Sequence, residues 1–283
     1  MTLPGTEVEL RRALDDGALE LVYQPVVNLH DATIGGVEAL LRWRRPDGLR
    51  SAGTFLPDVH DPELLDAVTR FVFDTAAEQA ATWRRRFESW WFPVSVNLAA
   101  TDFTAELVEQ VVSVRERHEL PIGAIALDIS EPVLLADPET SRRRCRALKQ
   151  AGAQIVIDDF GVTHATAVVD HEAVDATEAL MLSLVALDGF SIDVVKVDRA
   201  LLDVCFADEG DAAVIQAIVK RAHLMGFRAL AEGVETGDEA EWLREVGFDL
   251  GQGYYFQRPH GPGHIDRLLH DLADARAAFS SSH

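Results

Sequence analysis

Short apolar runs that alternate with amphipathic stretches recur along the chain and restrict its fold more than any other feature. Most of the runs are nearly continuously apolar, which is typical of strands buried on both faces of a parallel sheet. The predicted strands are Leu19–Val27, Thr33–Trp43, Phe92–Leu98, Ala124–Ile129, Ala153–Phe160, Ile192–Val197, Arg228–Val234 and Leu250–Phe256.

Helix signals lie between most of the predicted strands. Asp61 and Pro62 open one helix, which continues to Arg86, because proline is favoured in the first helical turn. Glycines such as Gly247 follow several helices, where the chain needs a left-handed conformation. The other predicted helices are residues 1–18, Thr104–Arg117, Pro138–Ala151, Asp211–Met225, Gly237–Val246 and His264–Ala278.

The order of these elements predicts an α/β fold, a (β/α)8 TIM-like barrel with an irregular antiparallel first strand. Only the short polar link Asn28–Thr33 separates the first two strands, so we expect them to pair as a hairpin. Later strand ends recur at intervals that suit βαβ units, such as the 31 residues from Asn97 to Asp128. The alternative is an open doubly wound sheet, although the first strand lacks the glycine-rich turn of dinucleotide-binding folds. We expect residues 1–283 to form one domain with its core at about residues 10–275.

The balance of charge excludes several classes of partner. Asp and Glu number 47 against 26 Lys and Arg, which gives a formal net charge of −21 at pH 7. Such a chain is expected to avoid DNA and anionic membranes. The chain has two cysteines, no N-terminal signal-peptide pattern and no apolar run of the roughly 18 residues that a membrane span needs. These features predict a cytoplasmic protein without a membrane span.

Polar side chains stand at nearly every predicted strand end. In a parallel barrel, catalytic groups lie at the carboxyl ends of the strands, so these side chains should converge on one rim. A single acid after a strand is more often a helix cap, and we interpret Asp198 in that way. Recurrence at six strand ends favours a functional site instead. The candidates are Gln24, Glu38, Asn97, Asp128, Glu131, Asp158, Asp159, Lys196, Glu232, Glu235 and Gln252.

Seven of these candidates are carboxylates, and a single lysine is too little to balance them. Like charges that converge cannot all stay ionised without a cation. Oxygen ligands together with an Asn carbonyl suit Mg²⁺ or Mn²⁺ better than zinc, and there are enough ligands for two ions. Two such ions about 3.5–4 Å apart would suit hydrolysis of a phosphodiester, because they stabilise both the attacking and the leaving oxygens.

Several motifs resemble the EAL phosphodiesterase family. Glu38-Ala39-Leu40 matches the signature that names this family. The resemblance runs from about Leu10 to Pro259, with further motifs in the family's order and approximate spacing. These motifs are Tyr23-Gln24-Pro25, Val96-Asn97-Leu98, Asp158-Asp159-Phe160-Gly161, Lys196-Val197-Asp198, Ala231-Glu232-Gly233-Val234-Glu235 and Gln252-Gly253-Tyr254.

The resemblance implies a barrel that cleaves cyclic di-GMP to linear pGpG with two Mg²⁺ or Mn²⁺ ions. By that resemblance, one metal would be held by four side chains, Glu38, Asn97, Asp128 and Asp158. Asp158 would bridge to a second ion held by Asp159, with Glu232 as a ligand or general base, and Lys196 would position the attacking water. The substrate pocket would be formed by four more residues, Gln24, Arg42, Glu235 and Gln252. Glu131 would support a loop that helps to order the second metal and the contact of a homodimer.

Two departures from the family pattern leave the activity open. The family usually has Glu where this chain has Asp128, and a metal about 1 Å out of reach can cost about 100-fold in rate. An insertion at about residues 162–180 is polar and acidic, and we expect it to be poorly ordered or reshaped. Two hypotheses therefore remain: an active phosphodiesterase, and a degenerate EAL domain that binds cyclic di-GMP or a protein partner with little or no turnover.

Overall fold

The strands close into a barrel in the computed structural model, which describes residues 6–87, 92–161, 173–207 and 212–280. Within these residues the strands are β1 (Leu19–Asn28), β2 (Ile34–Arg45), β3 (Gly48–Ser51), β4 (Val94–Asn97), β5 (Ile125–Ser130), β6 (Gln154–Phe160), β7 (Val194–Val197), β8 (Arg228–Ala231) and β9 (Leu250–Gly251). Their order is β1-β9-β8-β7-β6-β5-β4-β2-β3, and β1 also pairs with β2. Eight strands therefore form a closed ring, and β3 continues from β2 as a hairpin outside it.

The strand directions confirm the predicted TIM-like barrel with an antiparallel start. Strand β1 is antiparallel to both of its neighbours, β2 and β9. The remaining pairs around the ring, from β2 through β4 to β9, are parallel. The doubly wound alternative is wrong, because an open sheet would leave two free edges.

Helices surround the barrel at the positions where the sequence has amphipathic segments. They are α1 (Thr6–Asp15), α2 (Pro62–Arg86), α3 (Leu107–Arg117), α4 (Glu131–Ala136), α5 (Pro138–Gln150), α6 (Ala173–Ala186), α7 (Arg199–Ala207), α8 (Ala212–Leu224), α9 (Gly237–Val246) and α10 (Pro262–Ser280). Asp61 caps α2 by accepting two backbone N–H groups, and Gly247 ends α9 with a φ of 104°. In the described part of the chain, no helix is both long and apolar enough to cross a bilayer.

Two strands end earlier than the sequence predicts. Strand β8 stops at Ala231, because Gly233 adopts a left-handed φ of 69° that a strand does not allow. Strand β9 is only two residues long, since the chain turns after Gln252 and the N–H of Tyr255 donates to the carbonyl of Val234. The short elements β3 and α4 were not predicted as regular structure, whereas α7 begins directly after Asp198, which the sequence analysis interpreted as a helix cap.

The segment after β6 is partly helical. The sequence predicts that 162–180 is poorly ordered or reshaped, and its residues from Ala173 onward form the start of α6. Leu180 and Leu184 lie one helical turn apart and are fully buried, so packing of this apolar face stabilises the helix. The other part of the predicted insertion, 162–172, lies outside the described residues.

The interior of the barrel has an apolar layer directly below a polar layer. The apolar layer is one buried cluster of Val26, Ala126, Val156, Val194, Leu230 and Leu250. Alternate residues of a strand face the same side, so the residue two positions towards the carboxylate rim also points inward. In the same order, those residues are Gln24, Asp128, Asp158, Lys196, Glu232 and Gln252. Strand periodicity alone therefore brings six of the predicted site residues together inside the barrel.

Candidate functional site

Lys196 lies among the carboxylates of the polar layer. Its Nζ is 2.8 Å from Asp128 Oδ2, 3.1 Å from Asp158 Oδ1, 3.3 Å from Glu232 Oε1 and 3.5 Å from Glu38 Oε1. Burial opposes a charge on this side chain, which is only 2% exposed. Attraction from the four carboxylates outweighs that cost and raises the pKa of Lys196 well above its ordinary value. The ammonium therefore stays protonated throughout the physiological range.

Two side-chain amides hold Glu38 in place. Asn97 Nδ2 donates to Glu38 Oε1 at 2.7 Å, and Gln252 Nε2 donates to Oε2 at 2.7 Å. Gln252 Nε2 also lies 3.3 Å from the Oε1 of Gln24, the residue that pairs with Glu38 in the β1–β2 register. Burial works against ionisation, but Lys196 and the amides outweigh it and lower the pKa of Glu38. Glu38 is thus a fixed, ionised carboxylate.

Asp158, Asp159 and Glu232 form a three-carboxylate group. One oxygen from each lies within 4.8 Å of the others, and across the described residues no further trio of acidic, His or Cys side chains meets this distance. The register of β6 against β7 shifts between Ile157 and Phe160, and Asp159 has a φ of 56°. Consecutive residues of a regular strand point to opposite faces, so this bulge allows both aspartates to contribute to one group.

The single positive charge of Lys196 only partly offsets the cost of burying ionised carboxylates beside it. Burial raises the pKa of Asp128 to about 7 and that of Glu232 to about 8, although Lys196 pulls both down. Burial and the neighbouring charge of Asp158 raise the pKa of Asp159 as well. A divalent cation would favour the ionised forms of these acids, and an all-oxygen donor set fits a hard ion such as Mg²⁺ or Mn²⁺.

Asp128 lies deeper in the barrel than the three-carboxylate group. Its Oδ2 contacts Lys196 and accepts a hydrogen bond from Ser95 Oγ at 3.1 Å. Its other oxygen, Oδ1, is buried and has no hydrogen-bonding partner among the described residues. In the β5–β6 register Asp158 pairs with Ser130, two residues beyond Asp128. The side chain of Asp128 is fully buried, whereas those of Asp158 and Glu232 are 18% and 20% exposed, so the shorter side chain ends among interior polar groups.

The remaining predicted residues lie around this layer. Arg42 is half-buried, and its NH1 donates to the carbonyl of Leu41 at 2.9 Å. Glu235 is exposed at the edge of a cavity of about 330 Å³, which is also lined by Gln24, Glu38, Glu232 and Gln252. Glu131 is buried as the first residue of α4, and residues 162–172 of the loop that it was predicted to support lie outside the described residues.

A second, mostly apolar groove of about 450 Å³ opens beside Arg42. It lies between β2 and α2 and includes Leu40, Val68 and Asn97 in its walls. Its polar edge contains Asp102, whose pKa is raised by burial. The groove therefore begins beside Asn97, one of the two amides that hold Glu38, and its volume is large enough for a flat ring.

Three residues of the site were missed by the sequence analysis. Ser95 lies two positions before Asn97 on β4, so strand periodicity would have placed it in the interior. Arg199 and Glu239 form a bidentate pair between α7 and α9. Their separation of 40 residues gives no sequence signal.

Comparison with known proteins agrees with this geometry. The EAL domain family model matches residues 7–167 and 173–259. The bifunctional diguanylate cyclase/cyclic di-GMP phosphodiesterase MucR of Pseudomonas aeruginosa is 32% identical over 253 residues, 89% of this chain and 34% of that protein. The cyclic di-GMP phosphodiesterase NbdA of the same species is 31% identical over 255 residues, 89% of this chain and 30% of that protein. The chain thus spans about a third of the length of these curated relatives.

A solved structure extends the likeness to three dimensions. The PaMucR phosphodiesterase in complex with c-di-GMP superposes with a TM-score of 0.79 and 31% sequence identity. The match covers 92% of this chain and 99% of that one. With a matching family model over most of its length and a closed barrel whose interior polar layer contains the Glu38 of the signature, this chain belongs to the EAL domain family.

Proposed function

We propose that this chain hydrolyses cyclic di-GMP to linear pGpG with divalent cations, Mg²⁺ or Mn²⁺. The observation that carries the proposal is the convergence of acids on one lysine. Four carboxylates contact Lys196, and Asp159 joins two of them in the three-carboxylate group. Five negative charges against one positive leave a formal deficit of four, which equals the charge of two divalent cations. An anionic phosphodiester would be repelled from this rim without them.

The donors divide into two sets that share Asp158. Asp159 and Glu232 would complete one set, since their oxygens lie close to Asp158. The other set would contain four side chains: Glu38, the amide oxygen of Asn97, Asp128 and the shared Asp158. Asp128 would contribute through Oδ1, the buried oxygen that accepts no hydrogen bond from the part of the chain that the structure describes. When bound, the cations would supply the positive charge that stabilises the phosphodiester as it is attacked.

The chain's own groups would orient the water and move its proton. Lys196 keeps its ammonium charge among the carboxylates and would orient the attacking water by donating a hydrogen bond to it. Glu232 lies 3.3 Å from Lys196 Nζ, and it would serve as a ligand of the second cation or as the general base that accepts the proton.

The substrate contacts would come from the rim. Gln24 and Gln252 lie beside Glu38, and Glu235 stands at the edge of the same cavity. Arg42 lines the apolar groove, so its guanidinium would contact a phosphate while the groove accepts a base. The names of MucR and NbdA as cyclic di-GMP phosphodiesterases support this choice of substrate.

A second candidate function is binding of cyclic di-GMP with little or no turnover. The observation that favours it is the position of Asp128, whose fully buried carboxylate contacts Ser95 and Lys196 and lies outside the three-carboxylate group. An ion held by one ligand fewer would be bound weakly. Mn²⁺ would then serve better than Mg²⁺, whose octahedral geometry tolerates misplaced ligands poorly.

The test is product analysis with purified protein, cyclic di-GMP and Mn²⁺. We expect pGpG from the unmodified chain, none in the presence of EDTA, and none from Glu38→Gln, which keeps the shape of the side chain but removes its charge. Binding of cyclic di-GMP without product at saturating Mn²⁺ would favour the second candidate. Neither binding nor product would contradict both. The homodimer implied by the family resemblance stays a prediction, which light scattering of the same sample tests.

A further inference from the structure

Arg199 links the end of β7 to the segment that follows β8. It is the first residue of α7 and comes three positions after Lys196. Its NH1 donates to the carbonyl of Gly233 at 2.7 Å and to Glu239 Oε2 at 2.8 Å. Its NH2 donates to Glu239 Oε1 at 3.1 Å, so the guanidinium meets the carboxylate as a fork.

Glu239 holds the other end of the same segment. Its Oε2 accepts the backbone N–H of Glu235 at 2.8 Å and that of Thr236 at 3.4 Å. Burial works against its charge, but the hydrogen bonds from Arg199 outweigh this and lower the pKa of Glu239. The two side chains of the pair are 28% and 17% exposed. Glu239 is therefore an ionised acceptor that fixes the chain immediately after Glu232.

Gly233 brings the segment into direct contact with Arg199. Its φ of 69° lies in the left-handed region, and a Cβ at this position would lie 2.8 Å from Arg199 Cβ. The aliphatic part of Arg199 therefore packs directly against the backbone that follows Glu232, where a side chain would not fit.

We infer that Arg199 and Glu239 are positioning residues that hold Glu232 and Glu235 at the carboxylate rim and thereby set the affinity of the site for divalent cations. The inference rests on the proposed function. Arg199 is attached to the strand of Lys196, and Gly233 directly follows Glu232. The link thus fixes the 3.3 Å approach of the ammonium to Glu232 Oε1. Supporting residues of this kind typically change metal affinity by about 10–100-fold when mutated.

The test compares variants that keep the approximate size of the side chain but remove the bidentate pair between Arg199 and Glu239. Arg199→Lys keeps the positive charge and loses the bidentate geometry, and Glu239→Gln keeps the shape and loses the negative charge. We expect each variant to weaken Mn²⁺ binding in calorimetry by about tenfold, and the double variant to be no weaker than either, because both remove one link. The matched control is Arg244→Lys, in which an exposed pair with Glu241 on α9 is changed in the same way. The control should bind Mn²⁺ like the unmodified chain.

Hydrogen exchange separates this inference from the proposed function. The amides of Glu235 and Thr236 should exchange faster in Arg199→Lys and Glu239→Gln, in the absence of metal and nucleotide. Guanidinium at millimolar concentration should restore part of the Mn²⁺ affinity of Arg199→Ala but none of that of Glu232→Gln. Unchanged exchange and affinity in well-folded variants would overturn the inference. If the unmodified chain binds no Mn²⁺, the proposed function and the effect on affinity fail together, while faster exchange would still support the positioning of the segment.

Discussion

Among single residues, Asp158 has the largest number of expected roles. It contacts Lys196 and belongs to the three-carboxylate group, so both donor sets of the proposed site use it. We expect Asp158→Asn to weaken Mn²⁺ binding more than any other single ligand change, by at least about tenfold, in isothermal calorimetry. Asp198→Asn is the matched control, because Asp198 caps the start of α7 and lies outside the three-carboxylate group. Equal affinity in Asp158→Asn and in the unmodified chain would show that this aspartate holds no metal.

The variant Asp128→Glu tests whether the short side chain of Asp128 limits the rate of hydrolysis. Adding one methylene in Asp128→Glu would raise the carboxylate from the level of Ser95 towards the three-carboxylate group. We expect faster formation of pGpG, by up to about 100-fold if reach is the limiting defect. Ser95→Ala frees Asp128 Oδ2 from its hydrogen bond without lengthening the side chain, so it should leave the rate nearly unchanged. A rate for Asp128→Glu no higher than that of the unmodified chain would direct attention to residues 162–172 instead.

The buried acids also predict how stability depends on pH. Burial raises the pKa of Asp128 to about 7 and that of Glu232 to about 8, from ordinary values of 3.8 and 4.5. Each therefore contributes stability that is present at low pH and is lost as the pH rises through the raised pKa. We expect the melting temperature in EDTA to fall between pH 5.5 and pH 8.5. Saturating Mn²⁺ should remove this fall, because the ion favours the ionised carboxylates. A melting temperature that rises over this range in EDTA would disprove the assignment.

Whole elements could be predicted from the sequence where a local pattern determines them, such as the two-residue periodicity of a strand or a short link between two strands. Alternation of period two predicted that Asp128 and Glu232 face the interior, and the antiparallel start followed from the short link after Asn28. The bulge at Asp159 could not be predicted, because a left-handed aspartate has no pattern of its own. The link from Arg199 to α9 was equally invisible, since it depends on how two distant helices pack.

Helix α6 includes the second half of the segment that was expected to be poorly ordered or reshaped, and its packing can be tested. Leu184 is fully buried, whereas Leu182, two positions earlier in the same helix, is 60% exposed. We expect Leu184→Ala to reduce the free energy of unfolding by about 2–5 kcal/mol, because it leaves a cavity against the barrel. Leu182→Ala should change it by less than about 0.5 kcal/mol. Urea denaturation measures both, and equal effects would mean that α6 does not pack through this face.

Across the whole molecule, one cationic side chain is buried among acids in a chain whose formal net charge is −21. The closed ring directs carboxylates from several strands to the same interior layer. The layer beneath is apolar and offers these carboxylates no polar partners. Burial in this layer, together with repulsion between the acids, raises their pKa values, and the concentration of negative charge is expected to make nucleotide binding dependent on cations.

The most direct test of this account is the number of Mn²⁺ ions that the chain binds. Electron paramagnetic resonance of free Mn²⁺ during a titration gives that number, without requiring turnover. The charge deficit around Lys196 predicts two ions per chain in the presence of cyclic di-GMP, and fewer in Asp158→Asn. No bound Mn²⁺ at millimolar concentration, with cyclic di-GMP present, would contradict the proposal that this carboxylate rim is a divalent-cation site.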